Sequence, residues 1–136
     1  MPYQSEGYAT RAHGLAKAIG ATGAEVVCIS RPGFPWSFIK EYKDQTLPGK
    51  ETIEGVEYQR LREPKGWKGT HNYIAKAAHE LEKKLIEIKP SCVMAASDFK
   101  NAMPAYLAAR RLGIPFIYEI RGFWEVTHES RDPSAV

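Results

Sequence analysis

The stretch from Cys92 to Ile120, CVMAASDFKNAMPAYLAARRLGIPFIYEI, decides the fold class. It opens on Cys92-Val93-Met94-Ala95-Ala96, an apolar run that follows Pro90, and closes on Pro115-Phe116-Ile117-Tyr118-Glu119-Ile120, which follows Gly113. Runs this apolar, with polar residues mainly at their ends, suit strands covered on both faces, as in a parallel sheet. Between them the pattern predicts a helix from about Ala102 to Leu112. Asn101 is its expected N-cap, and Pro104 falls in a first turn, where a missing N–H costs little. Strand, helix and strand in so short a span make a βαβ unit.

The same rhythm extends towards the N-terminus. Ile74, Ala77, Ala78, Leu81, Leu85 and Ile88 mark one face of a longer helix, with Thr70 as a plausible N-cap and Pro90 as a stop. Tyr8, Ala12, Leu15, Ala16 and Ile19 mark another, ended by Gly20 and Gly23. Glu25-Val26-Val27-Cys28-Ile29-Ser30 reads as a strand stopped by Arg31-Pro32-Gly33. Val56-Glu57-Tyr58-Gln59-Arg60-Leu61 alternates apolar and polar, which suggests a half-exposed or edge strand. Thr52-Ile53-Glu54 with Gly55 is expected to pair with it as a small hairpin. Residues 31–50 form a loop longer than compact α/β domains usually carry, with Arg31, Phe34, Trp36 and Phe38 in it.

These elements predict an α/β fold, a Rossmann-like parallel sheet with helices on both faces. A βαβ domain normally opens on a strand that feeds its first turn and helix. Here the turn comes at Ser5-Glu6-Gly7, and Met1-Pro2-Tyr3-Gln4 is too short to be that strand. The expectation is therefore one partial domain over residues 1–136 whose first, central strand is missing. The strands at 25–30 and 92–96 would then each face a gap.

Composition narrows the function classes. The 136 residues are 43% hydrophobic and 26% charged, ordinary for a globular chain, so the chain can bury a core. A net charge of +3 spread along the chain is too mild and dispersed to indicate a nucleic-acid partner. The pI near 8.8 suits an anionic small molecule or a membrane surface. Cys28 and Cys92 have neither disulfide-framework nor zinc spacing, and each lies in an apolar run as a buried free thiol would. The sequence offers no long apolar span and no signal-peptide profile, so a soluble cytoplasmic protein is the expectation.

Two places can carry chemistry. At Ser5-Glu6-Gly7 a glycine permits close backbone approach to a ligand, and the following helix offers free N–H groups at its positive end. The plainer reading is a tight turn. At the end of the last strand stands Glu119-Ile120-Arg121-Gly122-Phe123-Trp124-Glu125, where open α/β sheets bind ligands. Arg supplies a planar fork of donors and Trp a flat apolar face. Here the plainer reading is an Arg–Glu surface pair with Trp124 packed on a neighbouring helix. Ser97-Asp98 ends the preceding strand at the same edge, with Asp98 suited to cap the next turn. Among the histidines, His13, His71, His79 and His128, no i, i+4 pair makes a metal site, and His13 stands closest to the glycine turn. No nucleophile-elbow spacing supports a hydrolase. The absence of G-x-G-x-x-G disfavours an oxidoreductase.

Taken together, Pro2 through Ile19 with Gly23-Ala24-Glu25-Val26, Ala95-Ala96-Ser97-Asp98 through Pro115, and Tyr118-Glu119-Ile120-Arg121-Gly122-Phe123-Trp124-Glu125 resemble the N-terminal domain of family 4 glycosyltransferases (glycosyl transferases group 1) of the GT-B fold. The resemblance covers nearly the whole chain and rests on the order and spacing of the segments. It implies two Rossmann-like domains with the active site between them, the acceptor held mainly by the N-terminal one. The nucleotide-sugar would be held by a Glu-rich motif of the C-terminal domain, which is absent here. Transfer would retain anomeric configuration, with no cofactor and no metal. The partners implied are a nucleotide-sugar donor and a glycan or lipid-linked acceptor. Peripheral membrane contact and self-association of the fragment are further expectations. The substrate-binding residues implied are Ser5, Glu6, Gly7, Ser97, Arg121, Gly122 and Trp124. Two positions depart from the common pattern. Glu6 replaces one of the paired loop glycines, setting a carboxylate where donor phosphates would come near. Arg121 replaces a histidine found in many members, as it does in polysaccharide-type ones. The alternative is a non-catalytic nucleotide- or sugar-binding module.

Overall fold

The computed structural model describes residues 7–65 and 69–123, together with 126, 130 and 131. It divides into two compact units, Met1–Trp67 and Lys68–Val136, each with its own sheet. The architecture is mixed α/β with parallel strand pairs, as in a Rossmann-like fold.

The first unit contains α1 (Gly7–Ala21), β1 (Val27–Ile29), a 3-10 turn (Lys40–Tyr42), β2 (Lys50–Ile53) and β3 (Val56–Gln59). Its strands lie in the order β1-β3-β2, with β1 parallel and β2 antiparallel to β3. The expected hairpin is present. Glu54 (φ 46°) and Gly55 (φ 82°) supply the two left-handed residues that a two-residue type I′ turn requires. The expectation of an edge strand at 56–61 is corrected: β3 is the central strand. Its alternation has another cause. Val56 and Tyr58 turn to a small core with Ala16, Val26, Cys28 and Ile53, while Glu57 and Gln59 occupy the other face.

The long loop after β1 is ordered by its own bonds. Phe34, Pro35 and Trp36 are buried, and the Trp36 indole N–H donates to the Gln45 carbonyl at 2.9 Å. The Gly33 N–H donates to the Leu61 carbonyl at 2.8 Å. A Cβ at Gly33 would lie 2.7 Å from the Pro64 carbonyl oxygen, and φ there is +88°, so the position excludes other residues on both counts. The buried Arg60 guanidinium donates to the Pro48 carbonyl and pairs with Glu51, fastening the far end of the loop to β2.

The second unit contains α2 (Thr70–Ile88), β4 (Val93–Ala96), α3 (Phe99–Arg111) and β5 (Phe116–Glu119). β4 and β5 pair in parallel, from Val93 opposite Phe116 to Ala96 opposite Glu119. The βαβ reading of 92–120 therefore holds. α3 packs on both strands and α2 on α3, through the fully buried Ala77, Ala78, Ala108 and Ala109. Such small side chains let helix backbones approach closely.

Several boundaries differ from the sequence reading. Asp98, rather than Asn101, caps α3, its Oδ1 accepting the Asn101 N–H at 3.2 Å. Asn101 sends its own amide to the Ala96 carbonyl at 2.9 Å. The earlier start puts Pro104 inside the helix, where it forfeits a bond to the Lys100 carbonyl; full burial compensates. Gly69 (φ 81°) occupies the N-cap position of α2 without a side-chain bond, and Thr70 is the first helical residue. At the other end Lys89 is left-handed (φ 54°) and donates to the Leu85 carbonyl, with Pro90 directly after. Cys92 precedes β4 and is exposed, against the buried position expected; Cys28 is half-buried. Among the described residues, β1 is laddered only to β3 and β4 only to β5.

Candidate functional site

The register of the second sheet brings Ser97 and Arg121 together. Ala96 lies opposite Glu119, so the chain leaves both strands at the same level. The Ser97 N–H donates to the Glu119 carbonyl at 3.0 Å, and the Arg121 N–H donates to Ser97 Oγ at 3.0 Å. Glu119 and Arg121 are two residues apart along an extended chain, which directs their side chains to one side. Arg121 Nη2 donates to Glu119 Oε2 at 2.7 Å, with the two side chains only 7% and 18% exposed. A charge-assisted bond this shielded from water holds the guanidinium in one orientation.

The neighbouring helix end is already committed. Asp98 places a carboxylate at the positive end of α3, where a phosphate would otherwise be favoured. The cationic side chain at this edge is the Arg121 guanidinium, shielded and paired with Glu119. Gly122, directly after it, is exposed, and among the described residues nothing lies within 4 Å of where its Cβ would be. Backbone can approach a ligand there. Trp124 lies outside the described residues.

In the first unit, Gly7 is the first residue of α1, exposed and with open space around it. Ser5 and Glu6 lie outside the described residues. The histidine nearest this turn has a role that the sequence did not disclose. His13 Nδ1 lies 2.6 Å from the Tyr58 hydroxyl, and its Nε2 lies 3.3 Å from Glu54 Oε2. Lys17, one turn on, donates to the same Glu54 oxygen at 2.5 Å. Helix α1 is thus clamped to the tip and central strand of the hairpin. Burial, with the Cys28 and Glu54 charges adding to it, pushes the Tyr58 phenol up to about 12. The His13 ring bridges the Tyr58 hydroxyl and the Glu54 carboxylate through its two nitrogens. The bonds from Lys17 and then His13 hold the Glu54 carboxyl below its ordinary range. The i, i+4 spacing of His13 and Lys17 was a readable signal. Its partner, a glutamate at a hairpin tip, was not. Burial pushes the Cys28 thiol up, which suits an inert structural cysteine.

Among the described residues no group of three histidine, cysteine, aspartate or glutamate side chains is placed to hold a metal ion. No described helix is long and apolar enough to cross a membrane. Residues 6–136 match the glycosyl transferase 4-like domain. The chain belongs to that family. No curated protein and no solved structure matches it. At the carboxyl edge of β4 and β5, the Arg121–Glu119 pair lies beside the exposed Gly122.

Two measurements test this picture. Breaking a shielded pair strands its partner, so Arg121→Ala should lose about 3 kcal/mol of stability to urea. Arg121→Ala with Glu119→Leu should recover much of that; equal losses in single and double variants would disprove the coupling. For Glu54 the folded value lies below the unfolded one. Its contribution is therefore present above the ordinary carboxylate range and disappears as pH falls through the lowered value. The melting-temperature difference between wild type and Glu54→Gln should be largest near neutrality and shrink below pH about 4. A difference that does not change with pH would contradict the clamp.

Proposed function

We propose that this domain is the acceptor-side half of a GT-B glycosyltransferase that moves a sugar from a nucleotide-sugar donor to a glycan or lipid-linked acceptor, with retention of anomeric configuration. The observation that carries the reading is the Arg121 guanidinium, oriented by Glu119 at the carboxyl ends of two parallel strands in a chain of this family. That edge is where ligands enter open α/β sheets. A planar set of donors fixed in one orientation suits a carboxylate, phosphate or hydroxyl group of the acceptor better than a mobile lysine would. Ser97 holds the Arg121 backbone, Gly122 gives the acceptor access to main chain, and Trp124 supplies a flat surface for a sugar ring. Ser5, Glu6 and Gly7 are the substrate-binding candidates of the first unit. The work of this half is to bind and orient the acceptor. In this reading the protein acts in the cytoplasm, in polysaccharide biosynthesis, without a metal or cofactor. The pI near 8.8 suits peripheral contact with a membrane that carries the acceptor.

Because the donor is held by the other domain of a GT-B enzyme, the isolated chain should transfer no sugar. A screen with radiolabelled UDP-, GDP- and ADP-sugars measures this: turnover above the no-protein blank would contradict the division of labour. Turnover by the complete enzyme is expected. If that enzyme binds nucleotide-sugar but never transfers it, the chain is a non-catalytic binding module.

The strands β1 and β4, each laddered to one neighbour, also support association of the isolated chain, since open strand edges recruit other strands. Light scattering should report a dimer or larger species. A monomer that melts cooperatively above about 55 °C would contradict this.

A further inference from the structure

At the amino end of β5 the second unit holds an open depression of about 450 Å³, lined by Tyr106, Arg110, Gly113, Ile114, Pro115 and Phe116. Phe116 is the first residue of β5 and Glu119 the last, so three residues, about 10 Å of strand, separate it from the Arg121 edge. Small-molecule sites commonly enclose about 300–1,000 Å³ and combine apolar walls with a few polar groups that fix orientation. This wall has that composition. Tyr106 and Phe116 stand edge to face, their ring centroids 5.5 Å apart at 65°. Arg110, one helical turn after Tyr106, donates from Nη1 to the Tyr106 hydroxyl at 3.1 Å, with its guanidinium carbon 6.0 Å from that ring's centroid.

Recognition in this depression falls to side chains. The Gly113 N–H is spent on the Arg110 carbonyl and the Ile114 N–H on the Ala109 carbonyl, and Pro115 has none. Arg111 is paired with Glu82 at 3.2 Å, whereas among the described residues Arg110 has no carboxylate partner, and no acid lines the depression. The Tyr106 hydroxyl accepts from Arg110 and keeps its own proton to donate. An uncompensated guanidinium and a phenol O–H therefore lie side by side, next to two aromatic rings. The negative end of α3 opposes an anion here. Its last carbonyls already accept bonds from Leu112, Gly113 and Ile114, and a guanidinium within direct hydrogen-bond reach outweighs a screened dipole end.

We propose that Tyr106, Arg110 and Phe116 form a binding site for a flat aromatic ring that carries one carboxylate or phosphate group. Both halves of that description are needed. A small anion without a ring leaves the apolar wall wet, and a neutral ring leaves the guanidinium without a counter-charge. A guanidinium also presents its donors in one plane, which suits the two oxygens of a carboxylate or phosphate set at the edge of a ring. The site is independent of the acceptor reading above, since it uses the other end of β5.

The test is titration of the 15N-labelled chain with 1-naphthoate and 1-naphthyl phosphate, against 1-naphthamide, acetate and inorganic phosphate as controls. The amides of Gly113, Ile114 and Phe116 should shift saturably with at least one of the two aromatic anions, with Kd in about the millimolar range expected of an open site. Naphthamide, acetate and inorganic phosphate should each bind at least about tenfold more weakly, because each lacks one half of the recognised group. Arg110→Met keeps the aliphatic stem and should weaken the aromatic anion about tenfold. Arg110 is exposed, so the variant should melt within about 3 °C of wild type. The proposal is overturned if neither aromatic anion moves these amides, or if naphthamide binds as tightly as naphthoate. It is overturned equally if acetate or phosphate alone binds as tightly, or if Arg110→Met binds like wild type. Shifts of the same amides on simple dilution of the protein would also overturn it, since a second copy would then cover the depression.

Discussion

Two opposite charges withdrawn from water at the end of a strand must satisfy each other, and the carboxyl edge of β4 and β5 is organised around that requirement. Glu119 is the last residue of β5, and Arg121 is the first position beyond it able to reach back on the same side. Once the guanidinium is held, the Arg121 backbone is fixed on Ser97, and Ser97 is fixed on Glu119. Strand ends, side-chain pair and exposed Gly122 therefore form one mechanical unit. A pair of this kind adds little net stability compared with apolar residues of the same shape. Its effect is to hold the guanidinium in one orientation.

The first unit shows the converse arrangement. Its hairpin tip invests a glutamate in a left-handed conformation that glycine or asparagine adopts more easily, and that glutamate reaches both His13 and Lys17. Local strain of this sort persists only where other contacts over-determine it. The stacking of His13 on Tyr58 and the burial of Tyr58 beneath α1 supply those contacts. The clamp orients the helix whose first residue is Gly7, so the start of α1 is positioned by residues well away from it in sequence.

The sequence disclosed the elements that depend on local pattern. The βαβ unit at 92–120, the stripe of α2 and the small hairpin of Thr52-Ile53-Glu54 with Gly55 all follow from periodicity and turn chemistry. It misjudged β3 because alternation has two origins. A strand alternates when one face meets water, and also when one face meets core and the other meets buried polar groups such as Gln59. It misplaced the start of α3 because Asp98 and Asn101 are equally good capping residues, and only the geometry after Ala96 assigns one to the helix and the other to the strand carbonyl. At the candidate site, the proximity of Ser97 and Arg121 was implicit in both ending strands at one edge. An Arg–Glu surface pair was one of two readings left open; the structure pairs Arg121 with Glu119, but shielded from water and not at the surface. The His13–Tyr58–Glu54 clamp was not legible, since it joins residues more than 40 positions apart along the chain.

The most direct test of the central claim is the steady-state kinetics of Arg121→Ala in the complete enzyme, assayed well below its melting temperature. If the Glu119-held guanidinium orients the acceptor, kcat/KM for the acceptor falls at least tenfold, about 1.4 kcal/mol of transition-state stabilisation, while KM for the donor stays put. A folded variant with unchanged kcat/KM would show that the pair only closes the end of a sheet.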